Sequence, residues 1–97
     1  MGDRIGIQFV NENCDDSIVI HSHWMGRRLL ILAQEFMKDY ELGLEDLHPS
    51  EAVAKFLMWF GMKYGVSDAI DTQDSDCYDD CEDNGVFTIN LKTKMIE

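Results

Sequence analysis

The hydrophobic periodicity of this chain changes twice along its length, and this restricts the fold more than any other feature. Apolar side chains alternate with other residues in segment 5–10, and segment 17–22 is rich in β-branched residues, so both are predicted strands. From about residue 26 to 41, and again from 49 to 64, apolar residues recur at helical spacing. Alternation returns in segment 86–92. The sequence therefore predicts the order strand, strand, helix, helix, strand.

The second predicted helix has the clearest boundaries. Pro49 suits a first helical turn, because its missing N–H would have no helical partner there. Ser50 and Glu51 also favour the start of a helix. Gly65 is placed to end the helix in a left-handed conformation.

These elements predict an α+β fold. The expected architecture is a three- or four-stranded antiparallel sheet with two helices on one face, in the order β-β-α-α-(β)-β. The short polar connection at 11–16 favours a hairpin of the first two strands, and an optional strand at 68–73 would pair with the last one. Alternation in the strands indicates a sheet covered on one side only. A chain of 97 residues is expected to form a single domain over residues 1–97.

The segment from Asp68 to Asp83 is unusually acidic, since eight of its sixteen residues are Asp or Glu and none is basic. Its part from about residue 74 to 84 has too few apolar residues to pack, so it is predicted to be an exposed acidic loop. The whole chain has a formal net charge of −11, which disfavours direct binding to a nucleic-acid backbone.

Membrane and secreted classes are also disfavoured. The longest apolar stretches, 29–33 and 56–60, are far too short to cross a bilayer. The N-terminal residues do not resemble a secretion signal. We therefore expect a cytoplasmic protein whose three cysteines are reduced.

Metal binding is the alternative function that the sequence suggests. His21 and His23 are two residues apart, so on a strand they would project from the same face. Together with Cys77 and Cys81 they could form a tetrahedral zinc site. The acidic loop could instead take calcium through carboxylate oxygens, although Leu91 stands where an EF-hand loop has its last glutamate.

The favoured interpretation is a small, acidic, non-enzymatic module that binds another protein with a basic surface. The chain has none of the common nucleophile, metalloprotease, phosphate-loop or dinucleotide motifs, so no catalytic residue is assigned. The candidate interaction residues are Trp24, Arg27, Arg28, Trp59, Asp74, Asp76, Asp79 and Asp80. Met58 and Met62 would extend the apolar contact around Trp59. Self-association as a homo-oligomer is a further expectation that the sequence leaves open.

Arg27 and Arg28 fall in the predicted first turn of the first helix. Positive charge is unfavourable there because of the helix dipole. We therefore expect both arginines to have acidic partners, with the carboxylates of segment 68–83 as candidates.

The run from Ile18 to Gly26, followed by Leu29 and Leu30, resembles a pattern in small uncharacterised phage and prokaryotic proteins. Those proteins have a strand that ends in Ser/Thr-His-Trp-x-Gly and leads into a helix, and they close with a loop and a strand like segment 85–91. The similarity would span about residues 5–92. The resemblance supports the predicted fold and leaves the function open, since the group has no known activity, and this chain departs from the pattern by its cysteines and its more acidic loop.

Overall fold

Four strands and two α-helices make up the computed structural model, which describes residues 2–40, 43–65, 70–73 and 83–97. In chain order, the elements are β1 (Ile5–Val10), β2 (Val19–Ser22), α1 (Arg28–Asp39), a short 3-10 turn (Leu44–Asp46), α2 (Pro49–Tyr64), β3 (Asp71–Gln73) and β4 (Val86–Asn90). The predicted α+β class and the order of elements, including the optional strand, are confirmed. In the described residues, no helix combines the length and the apolar composition that crossing a bilayer requires.

The sheet has the strand order β3-β2-β1-β4, and its last pair differs from the prediction. β1 pairs with β2 and β2 with β3 in antiparallel fashion, whereas β4 runs parallel to β1 with Ile7 opposite Phe87. The sheet is therefore mixed, and β3 lies beside β2 rather than beside β4. The chain between β1 and β4, residues 11–85, is far longer than the dozen or so residues that a connection between parallel strands needs.

The core lies between the sheet and the two helices. Phe9 of β1, Phe36 of α1 and Phe56 of α2 are fully buried, with ring centroids 5.3 to 6.2 Å apart. Ile5 and Ile7 belong to the same buried cluster. Because these β1 residues share one face of the strand, both helices pack on that face, as predicted.

The opposite face of β1 and β2 is also buried, which corrects the expectation of a sheet covered on one side. Gln8, Val19 and His21 lie on that face and are almost inaccessible to solvent. Gln8 Nε2 donates to the carbonyl O of Ser17 at 2.8 Å, and Ser17 Oγ accepts from the N–H of Phe9 at 2.9 Å. The buried polar groups therefore have partners. Because Gln8 and His21 are polar, the sequence predicted that this face of the sheet would be exposed to solvent.

The predicted ends of α2 are confirmed. His48 is the N-cap residue: its ring Nδ1 accepts from the N–H of Ser50 at 3.2 Å, and its own N–H donates to Glu51 Oε1 at 2.9 Å. This reciprocal pair of bonds satisfies donors that the first helical turn leaves without partners. Gly65 ends the helix at a φ of +81°.

Replacing Phe56 by Ala should destabilise the fold by about 3–5 kcal/mol, because the change removes the ring that joins α2 to both β1 and α1. The free energy of unfolding would be measured by urea denaturation. Met62→Ala, at a position that is 84% exposed on the same helix, is the control and should change that free energy by less than about 0.5 kcal/mol. A loss below about 1 kcal/mol for Phe56→Ala would contradict the central role of the aromatic contact.

Candidate functional site

Several of the predicted site residues meet where β2 ends and the other three strands begin. The register places Ser22 at the end of β2 opposite Ile5, His21 opposite Asp71, and Gly6 opposite Val86. The polar and aromatic side chains gathered at this end of the sheet form the strand-end cluster, which consists of Asp3, Arg4, His21, His23, Trp24, Asp71, Asp83 and Asn84.

A tight turn after β2 presents Trp24 to solvent. The N–H of Asp3 donates to the carbonyl O of His23 at 2.7 Å, and the N–H of Gly26 donates to the carbonyl O of Asp3 at 2.9 Å. Gly26 has a φ of +55°, and a Cβ there would lie 2.1 Å from Asp3 Oδ2. The positive φ and the close approach of Asp3 favour glycine at this position, in agreement with the glycine of the His-Trp-x-Gly run. Trp24 itself is 65% exposed, with its ring edge-on to His23 at a centroid distance of 4.5 Å.

The two predicted metal-binding histidines are close together but differ in environment. His21 is buried, and its Nδ1 lies 2.9 Å from Asp71 Oδ1. His23 is exposed, with its ring centroid 6.4 Å from that of His21. The described residues contain no group of three or more His, Cys, Asp or Glu side chains placed to hold a metal ion. Cys77 and Cys81 lie outside the described residues, as does most of the acidic loop, so the zinc and calcium sites stay predictions.

An ion pair fixes the beginning of β1 to the approach to β4. Arg4 donates to Asp83 through Nε and through its backbone N–H, both at 3.0 Å. The hydrogen bond from the Arg4 side chain is the largest effect that lowers the pKa of the Asp83 carboxyl. The backbone bond and the positive charge of Arg4 lower this pKa further, and His23 adds to the effect. Asn84 Nδ2 donates to Asp3 Oδ1 at 2.7 Å and to the carbonyl O of Arg4 at 2.8 Å.

Arg27 and Arg28 do not make the ion pairs that the sequence predicts with any carboxylate in the described part of the chain. The guanidinium of Arg27 lies over the ring of Phe87, 5.4 Å from its centroid. Asp83, the described carboxylate at the end of the acidic segment, pairs with Arg4 instead. The other predicted acidic contact residues lie outside the described residues: Asp74, Asp76, Asp79 and Asp80.

Trp59 is not a surface residue, so its predicted role as an exposed contact is wrong. It is 6% exposed, and its Nε1–H donates to Asp39 Oδ2 at 2.6 Å. The ammonium of Lys63 lies 5.2 Å from the centroid of the indole ring and 3.5 Å from Asp39. Trp59 faces the core because it is three residues after Phe56, whereas Met58 and Met62 lie one turn apart on the exposed side of α2.

Three residues of the strand-end cluster gave no functional signal in the sequence: Asp3, Arg4 and Asn84. Asn84 was recognisable only as part of an Asn-Gly turn. Asp3 and Arg4 precede β1, where a charged pair is ordinary. Their importance comes from the parallel pairing of β1 with β4, which no local pattern indicates.

Chemically, the cluster offers an exposed aromatic ring in the same turn as the carboxylate of Asp3. Asp3 accepts from the neutral amide of Asn84, so its charge is not cancelled by that bond. A tryptophan ring attracts a Lys or Arg side chain over its face, and a nearby carboxylate adds to that attraction. The arrangement is suited to binding a cationic group.

Known proteins give no guide to this site. Comparisons with family models, with curated proteins and with solved structures found no match. The resemblance of the His23-Trp24-x-Gly26 run to phage and prokaryotic proteins therefore stays a prediction.

Replacing Asp83 by Asn should lower the stability of the protein in a pH-dependent way. The carboxyl has a pKa below its ordinary value of 3.8 in the folded state. The Arg4–Asp83 contact therefore contributes stability that is present above pH 3.8 and is lost as the pH falls through the lower folded-state pKa. The difference in free energy of unfolding between wild type and Asp83→Asn should be largest near neutral pH and should shrink in acid.

Urea denaturation at several values from about pH 7 to about pH 3 measures this difference. Asp16→Asn changes an exposed carboxyl to the same amide and is the matched control, with little expected effect at any pH. A difference for Asp83→Asn that stays constant over the whole range would show that the ion pair does not stabilise the fold.

Proposed function

We propose that this protein is a non-enzymatic interaction module that binds a partner protein through a basic surface of that partner. The observation that carries the proposal is the contrast between its two tryptophans. Trp59 is buried in the core, whereas Trp24 is held in a turn with most of its surface in solvent. Tryptophan is among the residues most enriched at the energetic centres of protein interfaces.

The turn holds Trp24 in place before any partner arrives. The backbone of Asp3 bonds to residues on both sides of Trp24 in the chain, and the ring of His23 contacts the indole. A side chain whose surroundings are already ordered loses less conformational entropy on binding. The turn therefore supports a role for Trp24 as a preorganised anchor.

The charge of the molecule supports a basic partner. The chain has 19 acidic and 8 basic residues, so its formal net charge is −11. Ion pairs such as Arg4–Asp83, Lys63–Asp39 and Lys92–Glu12 cancel equal numbers of positive and negative charges and leave this excess unchanged. The surface is therefore strongly negative. Such a field accelerates association with a basic surface and repels phosphate.

In this proposal, a Lys or Arg side chain of the partner lies over the free face of the Trp24 ring. A cation–π contact of this kind contributes about 0.5 kcal/mol at exposed sites and about 2 kcal/mol when water is excluded. The carboxylate of Asp3 lies against Gly26 in the same turn and supplies negative charge nearby. The rest of the acidic surface contributes steering rather than specific contact.

A labelled Arg- and Lys-rich peptide serves as the probe, with its dissociation constant measured by fluorescence anisotropy. Raising the NaCl concentration from about 50 mM to about 500 mM should weaken binding severalfold, because salt screens charges that lie apart. Trp24→Ala should weaken it by on the order of tenfold more, because it removes the aromatic anchor.

Met95→Ala removes another exposed apolar side chain, in the C-terminal segment, and should leave the affinity of the peptide nearly unchanged. Binding that does not respond to salt would exclude the electrostatic part of the proposal. Equal affinities of Trp24→Ala and wild type would exclude the anchor. Failure of the peptide to bind at low salt would refute the proposed function itself.

A further inference from the structure

Asn84 is followed by a glycine, which gives it the most reactive neighbour of any asparagine in this chain. The side-chain carbonyl carbon of an asparagine is open to attack by the backbone nitrogen of the next residue. Glycine favours this attack most, because it has no Cβ to shield its nitrogen. The other three asparagines, Asn11, Asn13 and Asn90, are followed by a glutamate, a cysteine and a leucine. The sequence therefore makes Asn84 the asparagine most prone to lose its amide group.

The surroundings of Gly85 leave the attacking nitrogen accessible. Gly85 is partly exposed, and a Cβ added there would meet no atom beyond those of the adjacent residues within 4 Å. The carbonyl O of Gly85 accepts from the N–H of Gly6 at 3.0 Å. Among the residues that the structure describes, the N–H of Gly85 donates to no partner. The nucleophile of the reaction is therefore present and unshielded.

The amide of Asn84, by contrast, is held by the two residues that precede β1. Its Nδ2 donates to Asp3 Oδ1 at 2.7 Å and to the carbonyl O of Arg4 at 2.8 Å. Ring closure turns the side chain toward the nitrogen of Gly85 and ends with the departure of Nδ2. Both hydrogen bonds must therefore break first, so the reaction requires a local opening where β1 and β4 begin.

We propose that Asn84 is a modification site, at which hydrogen bonds to Asp3 and Arg4 hold back deamidation in the folded protein. In the reaction, the backbone nitrogen of Gly85 gives up its proton and forms a bond to Cγ of Asn84. The bond from Cγ to Nδ2 breaks, and Nδ2 leaves with that proton as ammonia. Water then opens the cyclic imide at either of its two carbonyl groups, which gives aspartate or isoaspartate. Water is the only reactant besides the protein.

Either product fits this place in the fold poorly. Aspartate has no hydrogen-bond donor, so its carboxylate would face the carboxylate of Asp3 and the carbonyl O of Arg4, which are both acceptors. Like charges at this distance repel one another. Isoaspartate also inserts a backbone carbon directly before Gly85, whose carbonyl pairs with Gly6. Deamidation should therefore loosen the beginning of β4 from β1.

The effect would extend to the turn that presents Trp24. Through its backbone, Asp3 bonds to His23 on one side of Trp24 and to Gly26 on the other. A change in the position of Asp3 would therefore be felt by both ends of that turn. The chemistry at Asn84 needs no partner protein, so this inference can hold or fail independently of the proposed function.

Peptide mapping by mass spectrometry measures the deamidation rate at each asparagine, in the folded protein and in guanidinium chloride above the unfolding transition. In the denatured chain, Asn84 should react on the order of tenfold faster than the other three asparagines, because it alone precedes glycine. In the folded protein, the rate at Asn84 should be lower by about tenfold or more, since only the locally opened fraction reacts.

Asp3→Ala removes one of the two acceptors of the Asn84 amide. It should raise the rate at Asn84 in the folded protein by about threefold or more, and it should leave the rate in the denatured chain unchanged. Asp16→Ala removes an exposed carboxylate elsewhere and is the matched control, with neither rate altered. Val53→Ala, a substitution in the core, controls for a general loss of stability and should leave the folded-state rate nearly unchanged.

Asn84→Asp places the product of the reaction directly in the fold and should lower the midpoint of urea denaturation. Asn90→Asp is the matched control, because it makes the same change in charge. Asn90 Oδ1 accepts from the N–H of Lys92 at 2.9 Å and from that of Thr93 at 3.0 Å, and an aspartate keeps both bonds. Its midpoint should stay close to that of wild type, which separates the loss of a donor from the gain of a charge.

Four results would overturn the inference. The first is a denatured chain in which Asn84 reacts no faster than the other asparagines, and the second is an equal rate at Asn84 in the folded and denatured protein. The third is a folded-state rate that is the same in Asp3→Ala and Asp16→Ala. The fourth is an Asn84→Asp variant as stable as Asn90→Asp, because the product would then fit the site.

Discussion

The contact of three phenylalanine rings between β1 and the two helices is the interaction on which the rest of the structure depends. Phe9, Phe36 and Phe56 come from three different elements and are all inaccessible to solvent. Aromatic side chains bury about 150–250 Å² each, so a small domain obtains much of its stability from a few of them. Because each ring contacts the other two, the same contact fixes both helices on one face of the sheet.

The parallel direction of β4 is what creates the strand-end cluster. In a parallel pair the two strands begin at the same end, so Asp83 and Asn84 arrive beside Asp3 and Arg4. An antiparallel β4 would have begun near Val10, at the far end of β1.

The proposed contact with a basic partner follows from the uneven division of charge along the chain. The sheet and its connections carry nearly all of the negative charge, together with the exposed Trp24. The helices are almost balanced and present methionines to solvent. In the proposed interaction, electrostatic attraction would direct a basic partner to the first of these surfaces.

The sequence by itself determined the α+β class, the order of the elements and the ends of α2. It also indicated that His21 and His23 would lie close together. These features depend on neighbours within about four residues, so periodicity and capping residues are sufficient to predict them. The helical spacing also distinguishes Trp59, which lies three residues after buried Phe56 and is buried, from Met58, which is exposed.

Only the tertiary structure decided which strands pair, and in which direction. A period of two shows which residues share a face of a strand, but it contains no information about the neighbour of that strand. The Arg4–Asp83 and His21–Asp71 contacts join residues 79 and 50 positions apart, and the burial of Gln8 depends on groups outside its own strand. The sequence therefore predicted only part of the candidate site. Asp3, Arg4 and Asn84 join the site through long-range pairing of β1 with β4.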